Sequence, residues 1–153
     1  MSQQPEHNVR TYGRAVATLV LLDFLVTAAI LITDKNLQTD FGAVHPYYLH
    51  WYGLLATGLV DLAGLIALYV APSRRLTAAA AGWSIFMAIF LVADIATYGL
   101  VGFSTPTQFV TYLFGLSHYN GALPYIPGLY DLLLLLYIIT AALSAQLIRK
   151  MAR

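Results

Sequence analysis

Four aspartates stand in long apolar segments of the chain, one in each segment. They are Asp23, Asp61, Asp94 and Asp131. An aspartate near the middle of a membrane span costs about 3 kcal/mol on insertion scales, so such residues face a bundle interior or water. Their distances from the ends of the segments, at about 1.5 Å per helical residue, place Asp23 and Asp61 in an inner pair and the other two in an outer pair. No lysine or arginine lies inside the four segments, so an internal salt bridge with these side chains does not account for the aspartates.

The inner pair has two interpretations. Asp23 and Asp61 are either members of a proton relay or carboxyls that fasten neighbouring helices by hydrogen bonds. Thr27 lies one helical turn after Asp23, and Thr57 one turn before Asp61, so each carboxyl has a potential hydrogen-bond partner on its own helix face. The residue types are compatible with both interpretations.

The outer pair is surrounded by aromatic and histidine residues, and this suggests a ligand pocket. The residues assigned to this outer pocket are His50, Trp51, Tyr98, His118 and Tyr130, together with Asp94 and Asp131. These residue types suit a quinone-like ring. Aromatic side chains can enclose the ring, a histidine or tyrosine can form a hydrogen bond with it, and a carboxyl can exchange a proton with it. The alternative is a metal held by His45, His50 or His118 with a carboxylate, although the spacing of the first two histidines does not place both on one helical face. An aromatic belt at the membrane surface explains many of the tyrosines without any ligand.

Composition identifies the solvent of the chain. Hydrophobic residues make up 59% and charged residues 10% of the 153 residues, which is far more apolar than a typical soluble domain. The sequence has no cysteine, and this excludes a covalent c-type haem and an iron–sulfur cluster bound by thiolates. The net charge of +1 gives no reason to expect nucleic acid as a partner. The lipid bilayer is the expected environment, with other membrane subunits or further copies of the chain as partners.

Four segments reach the length of about 20 residues that a membrane-spanning helix needs. The predicted spans are residues 15–33, 48–70, 76–102 and 128–148. The stretch Pro106–Leu116 is too short to cross and predicts a helix lying in the outer interface. The fold class is therefore an all-α integral membrane protein, with residues 1–153 forming one membrane domain: a four-helix antiparallel bundle with a short outer helix.

The basic residues predict the orientation, because cytoplasmic loops carry an excess of lysine and arginine. With a cytoplasmic N-terminus only Lys35 lies outside, whereas seven basic residues lie inside: Arg10, Arg14, Arg74, Arg75, Arg149, Lys150 and Arg153. We therefore expect both termini in the cytoplasm.

Three functions remain open at this stage. The first is a subunit of a respiratory or redox membrane complex that binds a quinone-like ligand or a metal in the outer pocket. The second is a proton- or cation-coupled transporter that uses the intramembrane aspartates. The third is a structural assembly subunit without a site of its own, and the sequence does not decide whether the protein is an enzyme.

Overall fold

The computed structural model describes residues 4–33, 48–102 and 129–151. Over these ranges the chain is helical except at residues 71–73, and it forms four helices: α1 (Gln4–Thr33), α2 (Tyr48–Val70), α3 (Arg74–Gly102) and α4 (Leu129–Met151). Each helix contains a stretch long and apolar enough to cross a membrane. The prediction of an all-helical chain with four such segments is confirmed, whereas the predicted helix at 106–116 lies outside the described residues.

Two helices begin earlier than the predicted spans. Helix α1 starts at Gln4 rather than near residue 15, and Pro5 is tolerated in its first turn because the N–H groups there have no partner within the helix. Helix α3 starts at Arg74 because Ser73 caps it: the Leu76 N–H donates to Ser73 Oγ at 3.2 Å. The polar residues at these helix starts are helical but do not belong to the apolar segments.

Most buried residues of each helix recur at steps of three, four or seven residues and so form one narrow stripe. The stripes are Gly13, Val16, Val20, Asp23, Thr27 and Ile30 on α1; Leu54, Thr57, Asp61 and Leu68 on α2; Thr77, Ala81, Ser84, Met87 and Leu91 on α3; and Leu133, Tyr137, Thr140, Ser144 and Met151 on α4. The buried Ala17 and Gly58 each directly follow a stripe residue. Only 22% to 33% of the residues in the most apolar windows are buried. Most of the apolar surface therefore faces outward, as it does when lipid is the solvent.

The interior has apolar ends and a polar middle. A distal cluster consists of Ile30, Leu54, Met87, Leu91, Leu133 and Tyr137. A proximal cluster consists of Val16, Ala17, Val20 and Leu68. Along α1, α2 and α4 the buried polar residues fall between members or packing partners of these two clusters. The carboxyls of the inner pair are therefore enclosed by apolar side chains on both sides.

Helix packing is uneven around the interior. Helix α1 packs extensively against α2 and α4, and α4 packs extensively against α3, whereas α2 and α3 approach each other at few points. Small residues allow the close approach of α1 and α2: a Cβ built on Gly58 would lie 3.5 Å from Thr27 Cγ2, and one built on Gly64 would lie 3.9 Å from Val20 Cγ1. The α2–α3 seam is the loosest boundary between consecutive helices in the described structure.

Three contacts bring the early part of α1, the ends of α2 and α4 and the α2–α3 connection together. They lie at the end of the interior that holds the proximal cluster, which we call the proximal side. The Arg14 guanidinium lies 5.4 Å from the centre of the Tyr69 ring, so the early part of α1 lies beside the end of α2. The Lys150 ammonium lies 5.9 Å from the centre of the Tyr12 ring and brings in the end of α4. Gly13 lies directly against Pro72, the middle one of the three residues between α2 and α3.

Candidate intramembrane carboxyl site

Asp61 joins three helices through its two carboxyl oxygens. It lies on α2 and is only 1% exposed. The Trp83 indole N–H on α3 donates to Oδ1 at 2.9 Å, and the Tyr137 hydroxyl on α4 donates to Oδ2 at 2.7 Å. Each oxygen thus accepts one strong hydrogen bond from a different helix.

Asp23 adds the remaining helix, α1, to the site. It lies on α1, is also 1% exposed, and its Oδ2 accepts a hydrogen bond from the Thr140 hydroxyl at 3.0 Å. Its other oxygen, Oδ1, has no hydrogen-bond partner within the described part of the chain. The two carboxyls are therefore held differently: Asp61 by two donors and Asp23 by one.

Helix α4 brings the two carboxyls to neighbouring positions. Tyr137 and Thr140 are three residues apart and both are fully buried, so their side chains share one face of α4. The corresponding rise is about 4.5 Å along the helix axis. Asp23 and Asp61 thus approach the same face of α4 about one turn apart, and their site involves all four helices.

The electrostatics of this carboxyl site are unusual for a membrane interior. Its immediate hydrogen-bond partners are two hydroxyls and an indole, all uncharged. Arg14 and Lys150 contact tyrosine rings among the proximal helix ends instead. Two ionised carboxylates without a cation are costly in a medium of low dielectric constant, because repulsion adds to the loss of hydration. The arrangement therefore favours binding of at least one proton or cation.

Sequence reasoning identified both inner aspartates but not their partners on other helices. Trp83, Tyr137, Thr140 and Ser144 were not assigned to a site. The signal for the α4 residues was present, since Leu133, Tyr137, Thr140 and Ser144 recur at steps of four, three and four residues. Trp83 carries no comparable signal, because tryptophan in a membrane protein is typical of the interface.

The outer pocket lies mostly outside the described residues. This holds for His45 and His118, and for the side chains of His50, Trp51, Asp94 and Tyr98. Of the residues assigned to the pocket, Asp131 and Tyr130 are described: Asp131 is half-buried in the first turn of α4, and Tyr130 packs against the distal cluster. The quinone-like ligand and the metal at His45, His50 or His118 stay predictions. Within the described ranges, no group of three or more histidine, cysteine or acidic side chains is placed to hold a metal ion.

Comparisons of the chain with protein-family models, with curated proteins and with solved structures found no match.

Proposed function

We propose that this chain is a small integral membrane protein that carries protons across the membrane through Asp23 and Asp61, either alone or as part of a larger complex. The observation that carries the proposal is the burial of two carboxyls, each 1% exposed, in the polar middle of the interior. The four helices that surround them are long and apolar enough to cross a membrane. Ionisable residues at such positions mark ion and proton pathways in membrane proteins.

The proposed architecture is an antiparallel bundle with both termini in the cytoplasm. Three contacts support it, because the early part of α1, the ends of α2 and α4, and the short connection before α3 all meet at the proximal side. The basic residues near these proximal ends include Arg14, Arg74 and Lys150, and the excess of positive charge supports a cytoplasmic position for this side.

The two carboxyls take different parts in the proposed relay. Both oxygens of Asp61 accept hydrogen bonds, so the position of this carboxyl in the relay is fixed by two donors. Asp23 keeps Oδ1 without a described partner, and that oxygen is available to carry a proton. Proton transfer between the two would follow the face of α4 on which Tyr137 and Thr140 lie.

Proton uptake into liposomes tests the proposal. The purified protein is reconstituted with an internal pH-sensitive dye, and a potassium diffusion potential drives protons inward. We expect uptake by the wild type and a loss of at least about tenfold in Asp61→Asn and in Asp23→Asn, because an amide keeps hydrogen bonds but does not exchange a proton at neutral pH.

Ser84→Ala is the matched control. Ser84 is 1% exposed on α3, equal in burial to the carboxyls, but it bonds to neither of them. This variant should retain uptake. Absence of uptake by the wild type, or full uptake by both asparagine variants, would overturn the proposal, and lower stability with unchanged uptake would establish the fastening role instead.

The outer pocket is a second candidate site, favoured by the position of α4. Tyr130 packs against the distal cluster and Asp131 is half-buried beside it, so a polar and an aromatic group stand together at the start of this helix. We propose that a quinone-like molecule binds there in a membrane complex. Purification from the native membrane should then yield a bound quinone, and Asp131→Leu should lose it at little cost in stability; a wild-type preparation without any quinone would argue against this site.

A further inference from the structure

We infer that the proximal side binds anionic phospholipids through a basic collar, the set of exposed lysine and arginine side chains at this end of the helices. Its members in the described part of the chain are Arg10 and Arg14 on α1, Arg74 and Arg75 on α3, and Arg149 and Lys150 on α4. The collar lies at helix ends rather than in the polar middle of the interior, so lipid binding there is independent of the proposed proton transport.

Contacts between helices place the collar at one end of the structure. Arg14 lies over a tyrosine ring at the end of α2, and Lys150 lies over a tyrosine ring in the early part of α1. The connection that precedes Arg74 lies against Gly13 of α1. Three helices, α1, α3 and α4, therefore contribute cations to the proximal side.

Acidic side chains do not neutralise the collar within the described structure. Asp23 and Asp61 are buried in the polar middle of the interior, and Asp131 lies in the first turn of α4, at the opposite end of that helix from Lys150. Glu6 is the one acidic residue that precedes Asp23 in the sequence, and a single carboxylate balances only one of the six collar cations. The proximal side therefore keeps an excess of positive charge that an anionic partner would balance.

The contacts with tyrosine rings fix the position of two collar cations without using their hydrogen-bond donors. The Arg14 guanidinium lies 5.4 Å from the centre of the Tyr69 ring, and the Lys150 ammonium lies 5.9 Å from the centre of the Tyr12 ring. A ring face attracts a cation by its quadrupole and accepts no conventional hydrogen bond from it. The N–H groups of both side chains thus stay available for phosphate oxygens, to which charged donors form strong hydrogen bonds.

Exposed apolar side chains beside the collar identify the anion as part of a lipid. Tyr69 and Val70 at the end of α2 are 62% and 75% exposed. Arg14 directly precedes the apolar segment of α1, and Lys150 follows that of α4, so both cations stand where a membrane-spanning helix meets the headgroups. An anionic phospholipid offers a phosphate to the cations and acyl chains to the apolar side chains, whereas a soluble anion would leave the apolar side chains in water.

Thermal unfolding in detergent tests the site. The purified full-length protein is melted in micelles that contain phosphatidylglycerol or phosphatidylcholine with the same acyl chains, at equal lipid concentration. Phosphatidylglycerol should raise the Tm above its value in phosphatidylcholine, because a lipid that binds the folded state stabilises it by mass action. Added sodium chloride should reduce this difference, since salt screens exposed charges.

Two variants and one matched control locate the lipid. Arg14→Gln and Lys150→Gln should each raise the phosphatidylglycerol concentration needed for half of the Tm difference about fivefold, the contribution of roughly one cation at an anionic lipid surface. Each variant keeps the other basic residues, so the predicted orientation is preserved. Lys35→Gln is the control, because it removes the same charge from the connection that follows α1 and should keep the wild-type response.

The comparison of the two lipids uses the wild type alone, so it decides the matter even where a variant does not fold. An equal Tm in phosphatidylglycerol and phosphatidylcholine would overturn the inference. A response weakened as much in Lys35→Gln as in Arg14→Gln would also overturn it, because net charge and not the collar would then govern binding. Inorganic phosphate that raises the Tm as much as phosphatidylglycerol would show a site for a soluble anion and would overturn the assignment to a lipid.

Discussion

Replacement of Tyr137 by phenylalanine isolates one hydrogen bond of the carboxyl site. The Tyr137 side chain is fully buried and belongs to the distal cluster, and its hydroxyl donates to Asp61 Oδ2 at 2.7 Å. Phenylalanine keeps the ring and its packing, so no cavity is created. The substitution removes the described donor of Oδ2 and leaves Asp61 with the Trp83 bond alone.

The expected cost of Tyr137→Phe is about 1.5 kcal/mol in the free energy of unfolding. Hydrogen bonds to charged groups contribute about 1.5 to 3 kcal/mol in soluble proteins. Hydrogen bonds between membrane helices average about 0.6 and reach about 1.7 kcal/mol, because the unfolded chain in the membrane also finds partners. The Tyr137 bond belongs near the upper membrane value, since its acceptor is a carboxyl that is only 1% exposed.

A double-mutant cycle in detergent or bicelles measures this bond. Tyr137→Phe is compared in the wild type and in Asp61→Leu, where the acceptor is absent and the loss of the hydroxyl should cost nothing. Tyr69→Phe serves as the control, because Tyr69 is 62% exposed and keeps its ring beside Arg14. An equal cost of Tyr137→Phe in both backgrounds, with coupling below about 0.3 kcal/mol, would refute the assignment of this bond.

Two further predictions address packing and orientation. Gly13→Ala should destabilise the protein by about 1 to 3 kcal/mol, because the added Cβ would overlap Pro72. Gly82→Ala is the control and should stabilise the protein by about 0.5 to 1 kcal/mol, because a Cβ added there has no neighbouring atom within 4 Å. Equal effects of the two substitutions in unfolding assays would contradict this packing. A cysteine at Ser73 should react with an impermeant thiol reagent only after the membrane is permeabilised, whereas one at Ser117 should react from outside; the reverse pattern would contradict the cytoplasmic position of both termini.

The sequence was sufficient to identify the spans because their determinant is local. A run of apolar residues as long as a membrane span is most stable in the hydrocarbon core of a bilayer, and the chain contains four such runs. The interior position of Asp23 and Asp61 follows from the same reasoning, since a carboxyl facing lipid would lose its hydration without compensation. Both residues are buried in the structure.

The partners of the inner aspartates were not predictable from one sequence. Which helix lies beside which depends on packing between distant segments, and hydrophobic length contains no information about it. Tyr137 illustrates the difficulty, because its hydroxyl donates to a carboxyl 76 positions earlier in the chain and no local pattern pairs the two residues. Thr140 is likewise an ordinary residue for a membrane helix until Asp23 is placed opposite it.

The uneven packing indicates where the carboxyl site is easiest to reach. Both ends of the interior are closed by apolar clusters, and separation of α1 from α4 would break the bond between Asp23 and Thr140 together with an extensive packed surface. Separation of α2 from α3 costs less, because few points of close approach are lost.

The bridging contacts described at the α2–α3 seam are the hydrogen bond from Trp83 to Asp61 and the weak hydrogen bond from Thr57 to the Met87 sulfur at 3.8 Å. Since Trp83 is itself half-buried, rotation of its indole would uncover Asp61 while the Tyr137 bond still holds the carboxyl in place. Asp61 is therefore least firmly enclosed on the side of the α2–α3 seam.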